Sequence, residues 1–525
     1  MPYLKFVCNK TAILHLVIIF LVALLYNLTY SVLTDVPIKY QLNGDAEVHV
    51  AHWREFSSRE NEDIFLNDPM FRLDIRPAGE LAIDKVIVRI ADFFRIDLLN
   101  WSLALSFLSS AFFLSGVYFI TAYTLKNPWA GLLIALGSII PAFSLGGSSW
   151  GFTPKGFLPR ELALGLSIWL LFLYFYGAKN DSKKHIGLLF AIAGLLANWY
   201  PVLFFHFALI LGLADVIRSR SLKKIHLFYG IVFLASASFS LWDIVQKSQT
   251  ASPVDMEILR QRFGYLILND WHYVLLRYLR RFIIYIILVP LLYYLVQKGG
   301  QVKSKKLAPW RALWWSSLAI AVLGLYLESY TSLTRLYLSR ASVWFLFASM
   351  VILAELLNSW GEGRNRFIKS AGAVFISVIF VGQTMFPTVY RHIRDFRNES
   401  ADYLQKIAMF EALRKLSKPG EVTFMNPQKA ASVRAYAGRG VYVSWKDGNV
   451  AVLDGAKSRE WSKHFAEADI VFNSGDFELI KKFSRDHGID YFVYREDELN
   501  VNRERAAQYK IFEAKPYVIV KIPTK

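Results

Sequence analysis

The sequence predicts a polytopic α-helical membrane protein of about 11 transmembrane helices with a small C-terminal α/β soluble domain. Three observations carry this reading. Hydrophobic residues make up 54% of the 525-residue chain and aromatic residues 16%, more than a soluble domain accommodates. The apolar residues come in runs long enough to cross a hydrocarbon core of ~30 Å. The Lys and Arg residues behind the formal net charge of +18 fall mostly in the short connections between those runs. That charge is used to orient a chain in a membrane, so no nucleic-acid partner is expected. A single cysteine, Cys8, precedes the first run, which excludes a disulfide framework and a thiolate metal site.

Residues 12–32 (AILHLVIIFLVALLYNLTYSV) form the first span, and no small-residue cleavage site follows it, as expected of a retained signal anchor. Lys5 and Lys10 precede it, so the N-terminus is expected in the cytoplasm and the next loop, 34–98, outside. The end of that loop, ELAIDKVIVRIADFFRI (80–96), sets Lys85, Arg89 and Asp92 at helical spacing against Val86, Ile87, Ile90 and Phe93. This is the pattern of a helix lying in the membrane interface. Further spans are expected at 100–123, 128–146, 161–177, 185–198, 202–216, 225–242, 281–297, 311–328, 340–358 and 370–387. Alternate connections should then be basic, and they carry Lys126; Lys179, Lys183 and Lys184; Arg218, Arg220, Lys223 and Lys224; Lys298, Lys303, Lys305 and Lys306; and Arg364, Arg366 and Lys369. An odd count of spans leaves the C-terminal region outside. AsnTrpTyrPro (198–201) reads either as a tight outer hairpin or as a break in one bent helix, and the basic connections favour the hairpin.

The membrane domain covers 1–390. Hydropathy then falls, and 391–525 alternates helical segments (399–416, 428–436, 457–466, 476–487) with apolar strands (422–425, 440–445, 490–495 and a pair within 510–522). A small extracytoplasmic α/β domain follows from that alternation.

The polar residues that could carry chemistry gather in the outer loops. In NGDAEVHVAHWRE (43–55), Asp45, His49 and His52 stand at i, i+4 and i+7 and share one helix face, while Glu47 points elsewhere. Beside a desolvated membrane surface Asp45 suits a general base for an acceptor hydroxyl, although an Asp here equally suits a helix N-cap. Glu47 could share that work or hold a divalent cation with Asp45, and the imidazoles suit acceptor or sugar contacts, metal, phosphate or packing. LGGSSWGFTPKGFLPRE (145–161) offers Trp150 for stacking on a sugar, with Lys155 and Arg160 for phosphate; an aromatic belt with snorkelling cations has the same composition. LESYTSLTRLYLSR (327–340) repeats the theme with Tyr330, Arg335 and Arg340, cations that run against the positive-inside bias and point to an anionic partner such as a pyrophosphate. SWKDG (444–448) is a strand-to-turn corner whose Trp445, Lys446 and Asp447 either touch substrate or only turn the chain.

GDAEVHVAHWREF after a first span, an outer loop ending in an interfacial helix, many further spans and an outer soluble domain together resemble the GT-C superfamily of polytopic glycosyltransferases. That superfamily includes protein O-mannosyltransferases, oligosaccharyltransferases and bacterial transferases acting on lipid A or cell-wall polymers. The resemblance implies that Asp45, and with it Glu47, is catalytic, here spaced Asp-x-Glu rather than adjacent as in the mannosyltransferases. No acidic pair precedes Glu161 in the second outer loop to complete a metal site like that of the oligosaccharyltransferases; a divalent cation, Mg or Mn, would rest on Asp45 and Glu47 alone. The tail segments MNP (425–427), GRGVYVSWKDG and GIDYFVYRE look similar to a domain attached to bacterial members.

The activity implied is transfer of a sugar from a polyprenyl-phosphate donor to a glycan, lipid or protein acceptor at the outer face of the cell (inner) membrane, with inversion if displacement is direct. Arg160, Lys155, Arg335 and Arg340 would hold the donor phosphate, and His49, His52, Trp150 and Tyr330 the acceptor or sugar. The partners are then membrane lipids, the lipid-linked donor and the acceptor. The alternative is a lipid-linked-sugar flippase or an envelope assembly factor. Such a transporter places ionisable groups at mid-membrane, where this chain has few (His15, His206, Asp215), so surface chemistry is favoured. A third reading, a membrane-bound acyl or phosphotransferase, finds no intramembrane His-Asp pair and no serine nucleophile motif in this sequence.

Overall fold

The computed structural model describes residues 10–34, 38–40, 42, 44–60, 64–71, 78–139, 142–143, 149–152, 156–180, 182–253, 255–263, 282, 285–295, 297, 304–330, 337–360, 403–452, 454–499 and 503–523. The helical bundle runs through α1 (Lys10–Thr34), α2 (Gly44–Phe56), α3 (Ala78–Phe93), α4 (Leu98–Leu125) and α5 (Pro128–Gly137) to a ribbon of β1 (Ala142–Phe143) and β2 (Ser149–Trp150). It continues through α6 (Pro159–Lys179), α7 (Lys183–Ala197), α8 (Pro201–Ser219), α9 (Lys224–Ser236), α10 (Ser238–Thr250) and α11 (Met256–Phe263). The last bundle helices are α12 (Tyr285–Leu295), α13 (Ser304–Tyr330) and α14 (Ser342–Trp360).

Among the described residues six helices are long and apolar enough to cross a membrane, or seven if α9 and α10, bent by 66°, make one span. The eleven expected spans are not reproduced by this count. The segment 128–146 is helical only to Gly137, because the chain then turns into the antiparallel β1–β2 ribbon. Among the described residues, the helices found in 281–297 and 185–198 are α12 and α7, each shorter than 18 residues. The span expected at 370–387 lies outside the described residues.

Local chemistry sets the helix ends. Asp97 caps α4 by accepting from the Leu99 and Asn100 amides, and Asn127 caps α5 from the Trp129 and Ala130 amides with Pro128 at its first turn. Pro201 opens α8, and Tyr200 before it leaves helical geometry at φ −128° and ψ 75°. Residues 198–200 are therefore a hairpin rather than a bent helix. Asn198 clamps it, donating to the Ser236 carbonyl at 2.8 Å and accepting from the Ser240 amide at 2.9 Å. At the other end of the bundle the basic connections meet. Lys179 Nζ lies 3.5 Å from the Tyr123 hydroxyl, Arg218 donates to the Ala178 carbonyl at 3.4 Å, and His226 Nε2 lies 3.2 Å from Asp215.

The bundle core is aromatic. Trp150 stacks on Phe347 at 4.4 Å, Trp310 lies 4.3 Å from Phe175, and polar groups within spans pair with one another, as Trp314 Nε1 does with Ser349 Oγ at 2.8 Å. Helix α3 has the amphipathic character expected of 80–96. It buries Glu80, Asp84, Ile87, Val88 and Ala91 and exposes Val86, Ile90 and Phe93, the last 81% accessible. Its first turn presses on the 198–200 hairpin so closely that a Cβ at Gly79 would lie 1.6 Å from the Asn198 carbonyl oxygen. Gly79→Ala should therefore push α3 off the hairpin and cost ~1–3 kcal/mol or more, read as a lower unfolding midpoint of the detergent-solubilised chain.

The C-terminal region carries α15 (Tyr403–Leu416), β3 (Val422–Phe424), β4 (Gly440–Val441), α16 (Gly455–Ser474), α17 (Phe477–Asp486), β5 (Tyr491–Arg495), α18 (Arg503–Ala507), β6 (Lys510–Ala514) and β7 (Tyr517–Lys521). Its five strands stand in the order β4-β3-β5-β7-β6, parallel among the first three and antiparallel in the last two pairings. Two expectations are corrected here. The helix expected over 428–436 is a turn and one π-helical segment, Val433–Ala437, and the strand expected over 440–445 pairs only at Gly440 and Val441. Both stretches are recruited by the bundle. Ser432 Oγ lies 3.2 Å from a Glu47 oxygen, the Tyr436 hydroxyl accepts from the Leu42 amide at 3.0 Å, and Arg434 binds Asp68 at 2.6 Å.

Candidate functional site

Helix α2 is packed on several sides, burying Ala46, Glu47, Val50, Ala51, His52, Trp53 and Arg54, and that packing fixes where its N-terminus points. Trp53 is fully buried beside Phe157, with ring centroids 5.9 Å apart, and its Nε1 donates to Asp84 Oδ1 of α3 at 3.0 Å. Asp45, in the first turn, then faces two cations from opposite ends of the sequence. Lys446 Nζ donates to Oδ1 at 2.6 Å and Arg160 Nη1 to Oδ2 at 3.4 Å, with the Asp45 side chain 43% exposed. Desolvation alone would raise the Asp45 carboxyl, but Lys446, Arg160 and, one turn on, His49 outweigh it and hold the group well below the ordinary carboxylate range. It is ionised at every physiological pH.

Glu47 goes the other way. It is buried against the C-terminal region, with Ser432 donating to it, and burial pushes its carboxyl above the ordinary value against the opposing pull of Lys406. Two acids one residue apart thus sit in opposite environments, one charged at a polar mouth and one buried at an interface.

Arg160 reaches from Asp45 into a cleft lined also by Gly151, Glu161, Leu164, Tyr200, Val202, Leu203, His206, Arg340 and Val343. Pro159 begins α6 and sets Arg160 on its first turn; Arg340 sits on the short 3-10 turn before α14, with its guanidinium 4.0 Å over the Tyr337 ring. Burial pushes the Tyr200 phenol up to about 12 against the pull of Arg340 and Arg160. His206 lies in the cleft wall, 1% exposed. The arrangement offers two guanidinium groups for an anion beside a half-exposed carboxylate.

The remaining sequence-derived residues divide. His49 turns toward α3, with Nδ1 3.8 Å from Asp84 and 4.0 Å from Glu80. His52 is buried and stacks on Phe71 at 4.4 Å, and Trp150 is fully buried with its Nε1 on Ser138 Oγ at 3.0 Å. Neither ring is presented to a ligand in this conformation. Lys155, Arg335 and the side chain of Tyr330 lie outside the described residues. Lys446, Tyr200, Glu161 and His206 were not chosen from the sequence as site residues. SWKDG, as a turn with chemistry-bearing side chains, carried a signal for Lys446, and His206 stood out as an ionisable group within a span.

The residues around Asp45 do not suit a divalent ion. Its oxygens face an ammonium and a guanidinium, Glu47 is committed to Ser432, and among the described residues no three His, Cys, Asp or Glu gather closely enough to hold a metal.

No family profile and no curated protein matches the chain. Solved structures do. An archaeal oligosaccharyltransferase, AglB from Archaeoglobus fulgidus, in complex with an inhibitory peptide and a dolichol-phosphate, aligns over 95% of this chain and 70% of its own at 11% identity and a TM-score of 0.50. The apo form from the same organism aligns over 92% and 69% at 10% identity, also with a TM-score of 0.50. A complex of it with Zn and sulfate has a TM-score of 0.48. The likeness runs through nearly the whole chain and shows the fold, that of the archaeal oligosaccharyltransferase, and the long apolar helices mark a membrane protein.

Proposed function

We propose that this chain is a membrane glycosyltransferase that moves a sugar from a polyprenyl-phosphate-linked donor to an acceptor hydroxyl at the outer face of the cell membrane. The observation that carries the reading is the position of Arg160, which meets Asp45 at 3.4 Å and lines a cleft together with Arg340. The dolichol-phosphate held by AglB is a lipid phosphate, the chemical class proposed here for the donor.

In the transfer step the bond from the anomeric carbon to the donor phosphate oxygen breaks as the acceptor oxygen bonds to that carbon. The lipid phosphate leaves as an anion held by Arg160 and Arg340, and the acceptor proton passes to Asp45. Arg160 serves both partners. A donor phosphate that draws its guanidinium away from Asp45 relieves part of the charge that depresses the carboxylate, so the base strengthens when the donor is bound. Loop 34–98 and the C-terminal region would then both lie outside, where the acceptor arrives.

A deletion strain should accumulate polyprenyl-linked sugar and lose the matching envelope glycan, and the wild-type gene should reverse both. Arg340→Met should leave transfer ~10²–10³-fold slower, because it removes one preorganised cation from the departing phosphate. Identical lipid-linked sugars in the deletion and complemented strains would overturn the reading.

A further inference from the structure

We propose that Lys446 takes the place of a divalent cation at Asp45, so that this transferase works on a lysine where its fold would otherwise suggest a metal. The inference rests on the glycosyltransferase reading for its chemistry and on the contact itself for its geometry. The Lys446 ammonium donates to Asp45 Oδ1 at 2.6 Å across 401 residues of sequence. It lies where a cation would have to bind the carboxylate, and Arg160 covers the other oxygen.

The 3-10 helix that delivers it, Trp445–Val452, is built to hold it there. Asp447, the next residue, is spent on Arg434 at 2.5 Å and on the Ser444 amide at 2.7 Å. Trp445, the residue before, lies 5.3 Å from Phe465, with the Arg262 guanidinium 4.7 Å over its ring. Both neighbours are held by partners of their own, while Lys446 reaches α2. The receiving side is shaped to match. A Cβ at Gly44 would lie 2.9 Å from Lys446 Cε and 3.4 Å from its Nζ, so a larger residue immediately before the acid would make the end of the lysine side chain shift.

A single positive charge does part of what a divalent ion would do. It keeps the carboxylate ionised and fixes its orientation, yet withdraws less electron density than a metal bond would, so the carboxylate retains more basicity for the acceptor proton. Lys446 is in this sense a positioning residue acting through Asp45.

The test uses the full chain in detergent. Mn²⁺ alone is titrated by electron paramagnetic resonance against wild type and Asp45→Asn. Indistinguishable curves are expected, and wild-type binding at least ~10-fold tighter than Asp45→Asn would overturn the inference. Sugar transfer is then followed in EDTA for wild type, Lys446→Arg and Lys446→Met, each with its unfolding midpoint measured. Wild type should be unaffected by EDTA, the Arg variant should stay within ~10-fold and the Met variant should fall by ~10²-fold or more at an unchanged midpoint. Loss of wild-type transfer in EDTA with recovery in Mn²⁺, or a Met variant as fast as wild type, would overturn it. A midpoint lowered in the Met and Arg variants alike would also count against it, as the mark of a purely structural pair. Gly44→Ala, whose Cβ would press on the end of the Lys446 side chain, should reduce transfer while leaving the fold intact. If wild type transfers no sugar at all, the glycosyltransferase reading fails, and the Mn²⁺ comparison still decides whether Asp45 is a metal ligand.

Discussion

Asp45→Asn should reduce sugar transfer by ~10²–10⁴-fold while leaving the chain folded, the loss expected when a general base is replaced by an isosteric group that cannot take a proton. The substitution keeps the size of the side chain and removes its charge. Because the side chain is 43% exposed, solvent can rehydrate the Lys446 and Arg160 cations that lose their partner, and the cost in stability should be small. The measurement compares envelope glycans and accumulated polyprenyl-linked sugars in a matched deletion strain carrying wild type or Asp45→Asn at equal protein level. Equal product from the two would remove Asp45 from the chemistry. Glu47→Gln serves as the contrast. Glu47 is buried beneath Ser432, so its replacement should disturb docking of the C-terminal region more than the transfer step.

Arg434→Met should be among the most destabilising single substitutions in the described structure, at ~3–5 kcal/mol, because it breaks a buried ion network by removing its centre. Arg434 is 5% exposed and binds Asp68, which is 0% exposed, and Asp447, which is 9% exposed. Asp68 also accepts from the Val441 amide at 2.8 Å, so the guanidinium ties the bundle segment 64–71 to both the β4 strand and the turn carrying Lys446. Methionine fills the volume but leaves two carboxylates facing each other without a cation. The predicted result is a strongly lowered unfolding midpoint together with loss of transfer. Adding Asp68→Asn and Asp447→Asn to Arg434→Met should recover part of the midpoint, since it removes the uncompensated charge. An unchanged midpoint in the single variant would show that the network contributes nothing to docking.

Much of this organisation was legible in the residues. Apolar length marked the long helices, Pro201 after Tyr200 marked a hairpin, and the alternation of Lys179, Arg218 and their neighbours marked one end of the bundle. Span counting was less secure, because apolar composition does not separate a crossing helix from a short one such as α5, where the chain leaves helical geometry after Gly137 to form a ribbon. Residue type also overestimated the chemistry of His52 and Trp150. Each has a polar atom and an aromatic face, and only packing shows that the faces are used on Phe71 and Phe347.

By itself, then, the sequence determined that this is a polytopic membrane chain with a C-terminal α/β tail and an acidic residue at the start of the helix after its first span. Those properties depend on hydropathy, charge and short-range spacing, which are written in consecutive residues. The tertiary structure alone decided that Asp45 meets Lys446 and Arg160, that Glu47 is buried under Ser432, and that 428–445 keeps only a π-helical segment and a two-residue strand as it grips the bundle. An ion pair across 401 residues leaves no periodicity to read. It exists because α2 and the 444–448 turn are each held by their own packing, and the charges meet where those two surfaces are pressed together.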